Sequence, residues 1–193
     1  KNKLKKVYIH PTTFIDKNTI IGEGTKIWHF SHIMEKSSIG KHCNIGQNVV
    51  ISPKVIIGNN VKIQNNVSVY SGVICEDDVF LGPSCVFTNV INPRSAVNRR
   101  NQYEKTILKK GCTIGANATI ICGIEIGKHS FIGAGAVVTK DVNPYELIVG
   151  NPGKMIGHMS EYGSKLSFNE ENIAKCIESN QEYRLEKNIV KRV

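Results

Sequence analysis

The chain is short of the residues that several functions need. Its six cysteines stand nowhere in a C-x-x-C or other paired spacing. That argues against a disulfide framework or a thiolate metal site and makes them small core residues in a reducing compartment. No stretch approaches the ~20 apolar residues of a membrane-spanning helix. The Lys-rich opening KNKLKK lacks the apolar run of a signal peptide, so a cytoplasmic protein with no membrane partner is expected. Aromatic residues make up 7% of a chain whose net charge is +9, too few to interleave with cations along a nucleic-acid-binding face. Phosphorylated small molecules match that charge better than nucleic acid does. Part of the excess lies in the ends, at Lys1, Lys3, Lys5, Lys6, Lys187, Lys191 and Arg192. The more telling part is interior, at Arg94, Arg99, Arg100, Lys105, Lys109 and Lys110.

What the sequence does have is a beat of six. An apolar residue recurs at Ile9, Ile15, Ile21, Ile27, Ile33, Ile39, Ile45, Ile51, Ile57, Ile63, Val69, Cys75, Leu81 and Phe87, then again at Leu108, Ile114, Ile120, Ile126, Ile132 and Val138. Neither the spacing of an amphipathic helix nor the alternation of an isolated strand fits a period of six. A short strand followed by a corner, repeated as a solenoid, does fit. Four residues after each apolar position stands a small or β-branched residue, from Thr13, Thr19 and Thr25 to Val55, Cys85, Cys112, Ala118, Ala136 and Val142, as a crowded interior requires. Three residues after it, at the corner, stand Asn18, Gly24, Asn48, Asn60, Asn66, Gly72, Asp78, Gly111, Asn117, Gly123, Gly135 and Asp141, the types that adopt left-handed angles most cheaply.

The beat fails over residues 88–107. The insertion must leave the coil and return, and such a loop is either functional or disordered. Pro93, Tyr103 and the arginine cluster point to an arm that wraps a ligand. Six histidines offer a general base: His10, His29, His32, His42, His129 and His158. His42 and His129 fall at corners, where a solvated turn residue is the simpler reading. His29, beside Trp28, is either a base or a substrate contact.

The columns of apolar, small and corner residues resemble the hexapeptide-repeat acyltransferase family. The resemblance covers about residues 7–157 and implies a left-handed parallel β-helix, here of between six and seven coils. Ile27-Trp28-His29-Phe30, the run from Lys62 to Tyr70, and Gly82-Pro83-Ser84-Cys85-Val86-Phe87-Thr88-Asn89 with Asn92-Pro93-Arg94 are similar to the branch that acetylates amino groups on nucleotide-linked sugars. The similarity is closest to enzymes acting on UDP-2-acetamido-3-amino-2,3-dideoxyglucuronic acid, a precursor of surface polysaccharide such as lipopolysaccharide O-antigen. Relatives acting on dTDP-3-amino-3,6-dideoxyhexoses share much of this text and stand as the alternative.

The resemblance implies acetyl-CoA as co-substrate, lying against Gly115, Ala116, Ala134 and Ala136 and the Gly150-Asn151-Pro152-Gly153-Lys154 segment. Asn151 and Pro152 would line that groove, and Lys140 and Lys154 would meet the phosphates. It also implies that Asn89, at the mouth of the loop, orients the sugar amine without a dedicated protein base, with His29 the second catalytic candidate. Gln64, Asn66 and Tyr70 would contact the sugar nucleotide. Arg94 would pair with a carboxylate or a phosphate, and Arg99, Tyr103 and Glu104 would close over the ligand. A homotrimer with active sites between subunits completes the implied picture.

Two further classes compete. A γ-type carbonic anhydrase has the same fold but needs three histidines converging on zinc; His29 and His32 are too close, and no metal is expected. A non-enzymatic scaffold would need neither the basic loop nor the Gly-Asn-Pro-Gly-Lys terminus. Two units follow, a β-helix over 1–157 and a C-terminal extension over 158–193. In the extension Ser167 and Glu170 form an S-x-x-E capping box, and Ile173, Cys176, Ile177 and Tyr183 fall at helical spacing, which predicts an α-helix covering the open last coil.

Overall fold

The computed structural model describes residues 6–193; Lys1, Lys3 and Lys5 of the basic opening lie outside them. Each hexad supplies a two- or three-residue strand, and every third strand stacks in parallel on the one a coil earlier, eighteen residues back except across the insertion, where Val73 pairs with Thr106 and Phe80 with Thr113. The first face of the resulting prism runs from Tyr8–Ile9 through Lys26–Ile27, Asn44–Ile45, Lys62–Ile63, Phe80–Leu81, Thr113–Ile114 and Phe131–Ile132 to Glu146–Val149. The second runs from Phe14–Ile15 to Val137–Val138 in seven strands, and the third from Ile20–Ile21 to Glu125–Ile126 in six. Six coils have a strand on all three faces, a seventh has strands on two and closes through the single bridge between Ile126 and Val142, and Glu146–Val149 opens an eighth, where the hexad count predicts between six and seven. The fold is the left-handed parallel β-helix that the family resemblance implies.

Isoleucine fills the axis because its branched side chain packs a pleated interior with little rotamer freedom to lose. Ile27, Ile33, Ile45, Ile51 and Ile63 are each 0% exposed, and burying each such side chain stabilises by ~1.5–3 kcal/mol. The column opens at the first coil, where Ile9 is 39% and Ile15 36% exposed. Two buried hydroxyls of the small column are satisfied across coils: Thr25 Oγ1 donates to the Gly40 carbonyl at 2.8 Å and Ser31 Oγ to that of Gly46 at 2.9 Å. Cys43, Cys75, Cys85 and Cys112 are free thiols in the same interior. Burial pushes Cys85 up to about 12 and Cys75 well up, so neither is a nucleophile.

Left-handed angles occur at the predicted corners, and also at Phe30, Lys36, His42, Lys54, Ser84 and His129, where the solenoid imposes them on less tolerant residues. Asp141 departs from that column. Its carboxylate instead accepts the Glu125 N–H at 2.8 Å.

The predicted C-terminal helix is not formed; the described residues contain no α-helix. Ile173–Lys175, Glu182–Glu186 and Ile189–Arg192 make a three-stranded antiparallel sheet instead. Asn169 Oδ1 accepts the N–H groups of Glu171 and Ile173, which bends the chain where a helix would start. Lys187 and Asn188 both have positive φ, the hairpin turn that matches strand twist. Glu-Tyr-Arg-Leu-Glu alternates accordingly: Tyr183 is 0% exposed, whereas Ile177, a member of the supposed helical face, is 85% exposed. The extension does pack on the last coil, through Tyr145, Leu166, Ala174, Cys176, Tyr183 and Val190.

Candidate functional site

The corner between the first and second faces stacks equivalent residues eighteen apart. A backbone ladder runs up it: Asn48 N–H to His29 carbonyl (2.9 Å), Asn66 to Gln47 (3.1 Å), Ser84 to Asn65 (3.0 Å), Asn117 to Pro83 (3.0 Å) and Gly135 to Ala116 (2.8 Å). His29 and Ala134, more than a hundred residues apart in sequence, therefore stand on one line.

The lower part of this corner is aromatic and polar. Trp28, His29, Asn44, Gly46, Gln47, Gln64 and Asn65 line a cavity of about 310 Å³. Trp28 Nε1–H donates to Asn44 Oδ1 at 2.9 Å, and the His29 ring lies on that of His10 with centroids 3.5 Å apart. The structure thus brings His29 and Gln64 together and adds Asn44, Gln47 and Asn65, which single-residue reading missed; their spacing of eighteen from neighbours of His29 is the signal that could have found them. Asn66 sits just outside, its Oδ1 accepting Asn48 Nδ2–H at 2.9 Å.

The upper part is small and under-bonded. At Gln47 the corner N–H is capped by Asn65 Oδ1 at 3.0 Å, as that of Asn59 is by Asp77 on another corner. One coil above Asn65 and Ala116 stand Pro83 and Ala134, which have no such oxygen, and the N–H groups of Asn65, Ala116 and Ala134 donate to nothing among the described residues. Gly82 and Gly115 let successive corners stack this closely, since a β-carbon on Gly115 would meet the Ala134 nitrogen. The result is a shallow groove with free backbone donors about 4.8 Å apart per coil, which fits an extended amide chain such as pantetheine.

At its top, Val137 N–H donates to the Gly150 carbonyl (3.0 Å) and Gly153 N–H to the Val137 carbonyl (2.7 Å). The turn that holds exposed Asn151 and Pro152, joined by a cis peptide, is thereby fixed to the second face, with Lys154 exposed beside it. Two of the expected cofactor residues do not join this groove. Ala136 is 0% exposed and spends its N–H on Gly133 and its carbonyl on Thr119, because it belongs to the inward column. Lys140 stands at the next corner, lining a cavity of about 170 Å³ with Asp141, Glu146 and Met155.

The loop leaves from that same second corner. Tyr70, 41% exposed, lies one coil below Thr88, and half-buried Asn89 follows. The Asn89 carbonyl accepts the Glu104 N–H at 2.9 Å, pinning the mouth, and the Glu104 carbonyl presses on Gly72 where a side chain would stand. Within the loop, Arg94 and Arg99 line a cavity of about 500 Å³ with Ile91, Asn92 and Pro93. Arg99 Nη1 donates to Gln102 at 2.8 Å, while its buried Nε has no partner among the described residues. Tyr103 is exposed on the returning limb. Within one chain, then, the groove and the loop occupy opposite edges of the second face.

His129, expected to be a solvated corner, is instead covered by the extension. It stacks on Tyr145 (5.4 Å) with Nε2 3.6 Å from Glu161. No group of three or more histidine, cysteine or acidic side chains is placed to hold a metal among the described residues.

The stacked-hexad prism defines a hexapeptide-repeat solenoid. Two hexapeptide-repeat families match parts of the chain: the family described as "Bacterial transferase hexapeptide (six repeats)" matches residues 18–53 and 105–140, and "Hexapeptide repeat of succinyl-transferase" matches 37–71. Among similar proteins, dTDP-3-amino-3,6-dideoxy-α-D-galactopyranose 3-N-acetyltransferase of Aneurinibacillus thermoaerophilus is 46% identical over 66 residues, 34% of each chain. A 2,3,4,5-tetrahydropyridine-2,6-dicarboxylate N-acetyltransferase of Staphylococcus aureus is 37% identical over 84 residues, 44% of this chain and 32% of that one. The match thus spans about a third of the length of either relative. A crystal structure of a mutant GDP-perosamine N-acetyltransferase from Caulobacter crescentus, in complex with CoA and GDP-perosamine, shares the fold with a TM-score of 0.55 at 21% identity over 80% of this chain and 58% of that one.

Proposed function

We propose that the chain is an acetyl-CoA-dependent N-acetyltransferase acting on the amino group of a nucleotide-linked sugar. The observation that carries this reading is the two-part corner: a polar, aromatic cavity below and a groove of free N–H donors on Ala116 and Ala134 above, in line on one edge. Such an edge suits two extended ligands meeting end to end. The names of the similar proteins, which include acetyltransferases of dTDP- and GDP-linked amino sugars, support the same class.

In the proposed reaction the sugar amine attacks the thioester carbonyl, a C–N bond forms, and the C–S bond breaks. The thiolate takes the proton that the nitrogen sheds. An amino-sugar nitrogen is less basic than a lysine, so an appreciable fraction is neutral near pH 7 and needs mainly to be held in place. Asn89 is assigned that role. Gly115, Ala116 and Ala134, with Asn151, Pro152 and Lys154 at the top, would hold the cofactor. Since Asn89 and the groove stand at opposite edges of the second face, a second copy of the chain is needed to complete the site, and a homotrimer would supply it. Tyr70, Arg94, Arg99, Tyr103 and Glu104 would then reach the ligand from the neighbouring copy, Arg94 pairing with a carboxylate or phosphate.

The substrate assigned first is UDP-2-acetamido-3-amino-2,3-dideoxyglucuronic acid, which the text around Asn89 and Arg94 most resembles. A dTDP-3-amino-3,6-dideoxyhexose is the second reading, favoured by the 46% identity to an enzyme named for such a sugar. Thiol release from acetyl-CoA with a panel of UDP- and dTDP-linked 3-amino sugars tests both. Turnover should appear with one nucleotide series, and silence with every member would sink the assignment.

A further inference from the structure

The third corner, between the third and first faces, takes no part in the acetyl-transfer reading. Backbone N–H groups on it are already met by carboxylates: that of Asn59 donates to Asp77 Oδ1 at 2.6 Å and that of Lys110 to Glu76 Oε2 at 2.9 Å. Further up, the Lys128 N–H donates to nothing among the described residues. Pro144 stands over it, since a β-carbon on Gly127 would meet the Pro144 nitrogen, and a proline ring offers no oxygen. On the coil below, Lys109 holds the place that Glu76 holds beneath Lys110. The N–H of Asp77 is open too, but that residue brings a carboxylate of its own. Lys128 brings a cation.

Lys128 and Pro144 form one wall of a cavity of about 540 Å³, and the terminal strand Ile189–Arg192 forms the other. Its cations are Lys128, Lys191 and Arg192, and its one acid is Glu161. That acid is already engaged, accepting Tyr145 O–H at 2.9 Å and Arg192 Nη1–H at 2.8 Å. Lys191 lies 3.3 Å from Glu186, an exposed pair that holds it weakly. Lys128 is exposed and has no ion-pair partner among the described residues. An open N–H beside an unpaired ammonium, with a guanidinium and a second ammonium across the cavity, is the complement of a phosphate. The volume falls within the range of small-molecule sites and leaves room beyond the phosphate for a body the size of a pentose. Pro144 and Ile189 give that body an apolar wall.

The cavity stands apart from the reaction. The groove and the loop occupy the two edges of the second face, and the third corner is the vertex opposite that face. Copies that meet along those edges to bring Asn89 to a groove would leave the third corner uncovered. One wall of the cavity belongs to the last coils and the other to the extension, so whatever fills it also ties the two together.

We propose that the cavity between Lys128 and the Ile189–Arg192 strand is a second ligand site, which takes the phosphate monoester of a small molecule. The Lys128 N–H and ammonium hold the phosphate from the corner, and Lys191 and Arg192 close on it from the terminal strand. A carboxylate would answer the N–H but brings a single charge to three cations; a phosphate monoester brings about two. The site does not depend on the acetyl-transfer reading and stands or falls without it.

The full chain is titrated by calorimetry in a low-salt buffer, where such charges are least screened. The probes are ribose 5-phosphate, inorganic phosphate, ribose and gluconate. Ribose 5-phosphate should bind saturably and at least as tightly as inorganic phosphate, gluconate at least about tenfold more weakly, and ribose not at all. Hydrogen exchange in Ile189–Arg192 should slow when the phosphate ester is added. Lys128→Gln should weaken the ester about tenfold or more and leave the melting temperature of the free protein unchanged. Pro144→Asp places a carboxylate over the Lys128 N–H, as Asp77 does for Asn59, and should weaken it by a similar factor. Arg94→Gln, in the loop, should leave the titration as it was. No saturable binding below about 10 mM overturns the proposal. So does binding that survives both Lys128→Gln and Pro144→Asp, or that is lost in Arg94→Gln, which would put the phosphate in the loop. Inorganic phosphate binding more tightly than the ester reduces the cavity to an ion site and overturns the small-molecule assignment.

Discussion

The imidazole of His129 occupies the space above Gly111 where a β-carbon would stand. Gly111 has φ +71°, so the glycine serves twice, as a left-handed corner and as the floor for the ring one coil up. That ring carries Tyr145, and the Glu161 carboxylate beside it accepts Tyr145 O–H at 2.9 Å and Arg192 Nη1–H at 2.8 Å. The final coil and the C-terminal sheet are thus joined through a single corner. Gly24 and His42 repeat the arrangement near the other end, with no sheet above them.

Gly111→Ala and Gly135→Ala should therefore differ. Both glycines have left-handed φ, but a β-carbon on Gly135 meets nothing within 4 Å. Left-handed strain alone costs about 1–2 kcal/mol. Gly111→Ala adds displacement of His129 and should cost at least about 1 kcal/mol more. Denaturant midpoints of the two variants check this, and equal shifts would contradict it.

Stability should decline with acidity. Burial is the main cause that lowers His10, His129 and His158 below the ordinary histidine value, and in His158 a buried Nε2 has no partner among the described residues. Each is held neutral in the folded chain, whereas the unfolded chain takes up a proton near pH 6.5. Their contribution is present above that pH and is lost as pH falls through the lower folded values. Melting temperature should drop between pH 7 and pH 5, and His158→Phe should flatten the slope.

The axis and the extension make opposite predictions for two isoleucines. Ile63→Ala empties a fully buried site in mid-column and should cost ~2–5 kcal/mol. Ile177→Ala removes a side chain that is 85% exposed and should stay within ~0.5 kcal/mol. A loss above about 1 kcal/mol at Ile177 would favour the packed helix over the sheet.

Asn89→Ala should lower kcat about a hundredfold with little change in KM, as expected when positioning and not affinity is removed. Near-full turnover at saturating substrate would refute the role. A comparable fall in His29→Ala with binding intact would make His29 a true base.

Much of this was legible from spacing. A period of six gives the inward column, the small column and the corners, because a prism of coils repeats one environment every hexad. The loop announced itself as the place where the beat stops. The extension was misread since Ile173, Cys176 and Ile177 satisfy a helical period by coincidence; the left-handed asparagines Asn172, Asn180 and Asn188 were the contrary signal. Ala136 was taken for a groove residue on the strength of a motif although its place in the hexad also puts it in the small inward column, and the structure follows the column.

The sequence by itself determined the solenoid: isoleucines every six residues can be buried together only around a common axis. It also determined which residues stand on one corner, since three hexads make a coil. Only the tertiary structure decided which corner groups are already bonded. Asn65 caps the N–H of Gln47, while nothing caps those of Ala116 and Ala134. The difference lies in the side chain one coil above, a neighbour in space that is eighteen or more residues away in the chain.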